Sequence, residues 1–411
     1  MNFHQESLPN GITILAECSP HAVSAALGYF VEAGSRDETP EIAGVSHFLE
    51  HMAFKGSDSR SAEEVNAAFD RIGAKNNAYT TEEHTVYHAL VLPEYVATTV
   101  DLLGDLLRPS LRAEDFETEQ KVIIEEIGMY ADSPMWTAYE KAMRLHFGGH
   151  PVGNSVLGTT ETVGGLTPEQ MRTYHSGRYG SENLIVAGVG KIDWPRFRDE
   201  VEKKCGEWKR GGSTRTKPRT ASGGGRELVV AEKFVQQSML LLAPGPAADN
   251  PMRTAAELLA TIVGDDTGSR FHWALVEPGL VESADFSYHE YHGIGAYMIS
   301  LGCSPDEADE NLGTVRKLLA ELDAEGITEA ELELAKTKIA ARTVLAAERP
   351  KNRLGPLGYN WSYRGQYRTV DGELAELQSV TVRQVRALLD EYPLRPMTSV
   401  ALGPVKEMAA L

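Results

Sequence analysis

At 411 residues the chain exceeds what one hydrophobic core organises, so two domains of roughly 200 residues each are expected. A content of 42% hydrophobic and 24% charged residues is that of a folded globular protein, which excludes disordered and collagen-like chains. The formal charge of −19 excludes nucleic acid as an expected partner, because phosphate-binding proteins need a positive footprint.

The N-terminus, Met-Asn-Phe-His-Gln-Glu-Ser-Leu-Pro-Asn, has no basic stretch followed by an apolar run. No later segment approaches the roughly 20 apolar residues that a membrane span needs. A soluble, unexported, cytoplasmic protein without a membrane partner is therefore expected. Cys18, Cys205 and Cys303 are odd in number, far apart and free of CxxC spacing. They indicate neither a disulfide framework nor a thiolate metal site, and a reducing cytoplasm suits them.

The first informative helix begins near Ile42 and contains His47-Phe-Leu-Glu50-His51, an HxxEH. Amphipathic helices follow from Leu92 and from Leu111, the latter running over Glu114 to Tyr130; another starts at Leu166, and a β-branched strand covers Asn183 to Gly188. Lys209 to Glu227 is nearly devoid of apolar residues and rich in Gly, Ser, Thr and basic residues, which reads as a linker. Residues 1–208 and 228–411 are thus the expected domains. The second half repeats the first: Ser304 onward matches Leu92 onward, Ile327 matches Leu111, Val380 matches Leu166, and a strand covers Thr398 to Leu402. Short strands with helices in runs favour an α+β class: two homologous tandem domains, each a mostly antiparallel sheet with helices packed on one face.

Residues four apart share a helix face, so His47 and His51 can reach one ion, while Glu50 lies about 60° away, close enough to serve a bound water. Zinc's preference for imidazole nitrogen with an open fourth position fits this pattern. A third ligand is sought on the helix from Glu114, which offers Glu117, Glu119, Glu125 and Glu126. At about 100° per residue, Phe116, Ile123, Ile127 and Tyr130 form one apolar stripe. Glu119 and Glu126 lie along its edge, and Glu125 points away. A carboxylate beside a core is costly unless paired or bound to metal. Glu126 is therefore the candidate ligand and Glu119 a supporting carboxylate. The second copy acts as a control: Glu119 aligns with Ala335, Glu126 with Arg342, and His47, Glu50 and His51 with Phe271, Ala274 and Leu275. All five polar positions change together, so only the first copy is expected to bind metal.

These residues resemble the M16 (pitrilysin-like) zinc peptidases, called inverzincins because HxxEH inverts HExxH. The resemblance covers nearly the whole chain and is closest to the short two-domain processing-peptidase type. Gly44-Val-Ser-His47-Phe-Leu-Glu50-His51-Met-Ala-Phe-Lys-Gly56 looks like the family's zinc helix, and Val122-Ile-Ile-Glu125-Glu126-Ile-Gly-Met-Tyr130 like the segment bearing its third ligand. The resemblance implies a clamshell half in which a peptide pairs with a sheet edge beside the zinc. Asn76, Asn77, Ala78, Tyr79 and Thr80 look like that edge, and backbone pairing would give affinity with little sequence reading. One departure stands out: the family's second domain usually offers an Arg and a Tyr, seven apart, to the scissile carbonyl, and Leu275 to Glu282 has neither.

The expected function is zinc-dependent endopeptidase action on peptides or unfolded segments inside a dimeric chamber, with Glu50 as base. A heterodimer with a related chain supplying Arg and Tyr is expected first, a homodimer second. The rival readings are a weakly active or non-catalytic subunit that binds peptide or scaffolds a complex, and a metal hydrolase acting on something other than peptides.

Overall fold

The computed structural model describes residues 1–219 and 223–409. Among the described residues eleven strands form two sheets: β1 (Asn2–Ser7), β2 (Thr13–Cys18), β3 (Ala25–Val31), β4 (Lys75–Thr80), β5 (Thr85–Val91) and β6 (Leu184–Gly190) in the first; β7 (Arg226–Val230), β8 (Gln237–Gly245), β9 (Ser283–Tyr291), β10 (Ile294–Cys303) and β11 (Thr398–Gly403) in the second. Their orders are β1-β2-β6-β3-β5-β4 and β7-β11-β8-β10-β9. In each sheet a single pair is parallel, β2 with β6 and β7 with β11, and the rest are antiparallel. The α+β class and the tandem duplication expected from sequence are thereby present.

The duplication extends to local chemistry. The helices Pro168–Arg178 and Val382–Glu391 both start from a capping box, Thr167 with Gln170 and Thr381 with Gln384. The helices Ala113–Ala131 and Glu329–Ala347 each have 19 residues.

By compactness the described residues form two units. The first holds residues 1–127, 154–216 and 345–368; the second holds residues 128–153, 217–344 and 369–411. Each keeps most of one half and takes a helical segment from the other. In the first unit, Ile14, Leu27, Tyr29 and Tyr87 face a large core closed by most of the helices. The opposite face is not bare. Leu15, Phe30, Val86 and Ala187 are covered there by Leu354 and Leu357 of the helix Pro350–Arg364. In the second unit, Met239, Leu241 and Tyr297 face the main core, while Leu240, Leu242 and Val400 are covered by Ala138, Ala142 and Phe147 of the helix Pro134–Phe147. Central strands that are apolar on both faces leave no other arrangement, since either face left open would expose a large apolar patch.

The stretch read as a linker carries structure of its own. Arg215 is buried on Asp37, with Nη2 to Oδ2 at 2.6 Å, and β7 begins at Arg226. Residues 220–222 of that stretch, and the last two of the chain, lie outside the described residues. Among the described residues no helix is long and apolar enough to cross a membrane.

Candidate metal centre

The helix Val45–Ala53 is aimed by its start. Gly44 adopts φ +91°, a left-handed conformation that glycine takes without strain. The Glu38 carboxylate then accepts from the N–H groups of Gly44 and Ser46, both at 2.7 Å, satisfying donors that the helix cannot. Val45, Phe48, Leu49, Met52 and Ala53 are buried in the core, which turns His47, Glu50 and His51 to the other side. Phe48 packs on Phe116, ring centroids 4.5 Å apart, and so seats this helix against Ala113–Ala131.

On the second helix Phe116, Glu119 and Ile123 are buried, Glu126 and Ile127 half-buried and Glu125 exposed, as the helical phase requires. Tyr130, placed on the same stripe from sequence, is 37% exposed instead. The stripe is covered only as far as Ile127, and the last turn runs beyond the core that it closes.

Three donor atoms converge. His51 Nε2 lies 3.5 Å and His47 Nε2 3.9 Å from Glu126 Oε2, and the ligand atoms of the three residues all lie within 4.8 Å of one another. Donors of a tetrahedral zinc, bound at about 2.0–2.2 Å, sit about 3.3–3.6 Å apart, and the two separations from Glu126, 3.5 and 3.9 Å, lie close to that spacing. His51 Nδ1 meets Glu119 Oε1 at 2.8 Å, the outer-carboxylate arrangement that fixes a ligating imidazole's ring and tautomer. Lys55 pairs with the other Glu119 oxygen.

Electrostatics divide the two imidazoles. Burial, with His51 nearby, pushes His47 down to about 4, leaving it neutral as a metal ligand must be. For His51 burial pulls downward, but the bond to Glu119 and the charges of Glu126 and Glu50 outweigh it, so its value is raised. The Glu119 carboxyl is held below its usual range by His51 and Lys55 despite burial. Glu50 is raised, chiefly by burial; Thr80 Oγ1 donates to its Oε2 at 2.6 Å and opposes that shift.

Residues Asn76 to Thr80 lie on β4, the outermost strand of its sheet, paired only with β5. The Thr81 N–H donates to the His84 carbonyl at 2.8 Å and sets the hydrogen-bonding phase of the hairpin. Antiparallel alternation then turns the backbone groups of Asn76, Ala78 and Thr80 to the open side. Their side chains share the face of Glu50, whereas Tyr79 accepts a bond from the Tyr359 hydroxyl at 2.8 Å on the other face. Sequence reasoning named Thr80 but missed its bond to Glu50, and it missed Lys55 altogether. The position of Lys55, four residues after His51, was the available signal.

In the second unit, Phe271, Leu275 and Ala335 are buried apolar residues, and Arg342 pairs with Asp265 at 2.6 Å. Leu275 to Glu282 leads from a π-helical turn into β9. Nearby, the Tyr288 hydroxyl donates to the Pro246 carbonyl at 2.7 Å, and Tyr291 is buried.

Known proteins resemble this chain over most of its length. Residues 13–160 match the family profile "Insulinase (Peptidase family M16)", and residues 165–339 match "Peptidase M16 inactive domain". An uncharacterized zinc protease of Streptomyces coelicolor is 33% identical over 98% of this chain and 90% of its own length. One from Mycobacterium leprae is 32% identical over 97% of this chain and 91% of its own. A crystal structure from Pseudomonas fluorescens, described as a peptidase M16 inactive domain, shares the fold: TM-score 0.92, 20% identity, 99% of each chain covered.

Proposed function

This chain belongs to peptidase family M16, and on that premise we propose that it is a zinc-dependent endopeptidase acting on peptides or unfolded segments. The observation that carries the reading is the convergence of His47, His51 and Glu126, with Glu119 behind His51 and Glu50 on the same helix. A zinc ion held by these three ligands would supply Lewis acidity and lower the pKa of a water to about 7. Glu50, held by Thr80, is the group placed to take a proton from the attacking water and hand it to the leaving amine. Glu119 keeps His51 oriented. The open side of β4 would receive the peptide as an added strand, and a peptide bound there would contact Thr80, whose side chain holds the base. Cys205 and Cys303, buried and unpaired, accord with a cytoplasmic setting.

Metal analysis and a fluorogenic peptide assay test this together. Native chain is expected to carry one zinc; His51→Ala and Glu126→Gln are expected to lose it. Glu50→Gln should retain the zinc while activity falls by roughly two to four orders of magnitude. Unchanged zinc in both ligand variants, or substantial turnover by Glu50→Gln, would refute the assignment. A second reading, a weakly active subunit that binds peptide for a partner, is favoured by the missing Arg and Tyr between Leu275 and Glu282.

A further inference from the structure

The corner of the second sheet where β7 and β11 begin holds a cavity of about 550 Å³, within the range of small-molecule sites. Leu242 of β8 and Leu319 of the helix Ala308–Glu325, both buried, form its floor. Arg226, the first residue of β7, lines it too. So does Arg316, three residues before Leu319 and therefore on the same helix face. Gly225 bounds the space with bare backbone: its φ is +123°, and a side chain there would meet nothing within 4 Å.

Acidic residues outnumber basic ones in this chain, 59 to 40, yet none is placed against these two guanidinium groups. Among the described residues the side chains of Arg226 and Arg316 make no hydrogen bond and no ion pair at contact distance. Burial, with Arg226 repelling it and Asp309 offsetting only in part, holds the Arg316 guanidinium below its ordinary range. The other polar lining groups are committed: Arg395 Nε donates to Asp323 Oδ2 at 2.7 Å, and His146 pairs with Thr398. Two like charges over an apolar floor are unfavourable alone and focus an attractive field on an anion between them.

We propose that this cavity binds a small organic phosphate, a monoester with an apolar body, whose phosphate sits between Arg226 and Arg316 and whose body lies on Leu242 and Leu319. A monoester carries about −1.5 to −2 charges, which two guanidinium groups balance, and their planar forks suit its oxygens. A carboxylate would leave one guanidinium uncompensated, and inorganic phosphate would leave the apolar floor hydrated. An extended polyanion is disfavoured by the net charge of −19 around the site. The proposal stands apart from the peptidase reading, because these residues all belong to the second unit and none belongs to the metal centre.

Calorimetric titration of the full zinc-loaded chain at about pH 7.5, above the second phosphate pKa, tests this with 1-naphthyl phosphate, 1-naphthoate, 1-naphthol and inorganic phosphate. Naphthyl phosphate is expected to bind with Kd below about 1 mM and at least about tenfold more tightly than each of the other three. Arg226→Gln and Arg316→Gln should each weaken it about tenfold or more, with thermal midpoint and zinc content unchanged. A partial probe that binds as tightly as naphthyl phosphate overturns the proposal, as does the absence of binding. So does affinity that survives both arginine substitutions, which would place the phosphate elsewhere, on the zinc included. Capture by phosphatidic acid vesicles without any response to the soluble probe would mark a membrane surface and overturn it as well.

Discussion

Burial sets the charge of His47 at the metal centre, and it does the same for two histidines beyond it. His146 and His175 are both pushed down to about 4, by burial alone for His146 and chiefly by burial for His175. Each is also committed to a hydrogen bond, His146 with Thr398 at 3.0 Å and His175 with the Leu107 carbonyl at 2.9 Å. In the unfolded chain they would titrate near 6.5. Between about 6.5 and 4 the unfolded state therefore binds more protons, so stability is full above 6.5 and is lost as pH falls toward 4. Glu38, raised by burial to about 7, runs the other way, which makes the bare slope ambiguous. The comparison is thus between native chain and His175→Gln, both stripped of metal. Unfolding free energies from urea titrations between pH 6.5 and 5 should fall less steeply in the variant, by up to about 1.4 kcal/mol per pH unit. Equal slopes would mean that His175 is protonated in the folded state. At this scale the sequence was legible where a helix fixed the spacing. His47, Glu50 and His51 share one helix, and Glu119 and Glu126 share another, so periodicity alone gathered them. The bond from Thr80 to Glu50 joins different elements, and no period within one element reports it; the spacing of Lys55 from His51 placed that side chain near the site but did not report its bond to Glu119.

The helix Pro350–Arg364 shows what periodicity could not reach. Leu354-Gly355-Pro356-Leu357-Gly358 contains two glycines and a proline, composition that argues against a helix. Tertiary packing overrides it, because Leu354 and Leu357 cover the second face of the first sheet. Gly358 is present for close approach: a Cβ there would lie 2.4 Å from Cζ of Phe30, a fully buried ring with no room to yield. Gly358→Ala should therefore destabilise the protein although alanine is the better helix former by about 1 kcal/mol, because overpacking costs about 1–3 kcal/mol. Leu354→Ala should cost about 2–4 kcal/mol by leaving a cavity. Thermal melts of both variants check this, and a raised midpoint for Gly358→Ala would show that the helix can move off the sheet. The same reasoning explains why the exchange of helical segments escaped the sequence. Amphipathicity shows that a helix has an apolar face, not which of two equally apolar sheets it covers.

At the level of the whole molecule, the missing carbonyl donors lead to an expectation about a partner. Hydrolysis builds negative charge on the scissile carbonyl oxygen, and each missing donor typically costs about 100-fold to 1,000-fold in rate. The stretch Leu275 to Glu282 supplies neither Arg nor Tyr. The nearest tyrosines do not replace them, since Tyr288 is committed to the Pro246 carbonyl and Tyr291 is buried. In the second unit the positions matching the metal residues are apolar or ion-paired, and no equivalent centre is formed there among the described residues. The expectation that follows is a heterodimer with a related chain that brings Arg and Tyr and needs no HxxEH. A homodimer would duplicate the zinc site yet leave both donors missing. Turnover and mass in solution should be measured for this chain alone and then with candidate M16-type partners. Alone it should hydrolyse peptides slowly with zinc in place; with the right partner the rate should rise roughly 100-fold or more as the mass reaches that of a pair. The same rise should be lost when the partner's Arg or Tyr is replaced, because the carbonyl donor is removed, while zinc content and peptide binding by this chain stay unchanged. Full activity in a pure homodimer would defeat the heterodimer and require the carbonyl donors to come from this chain itself.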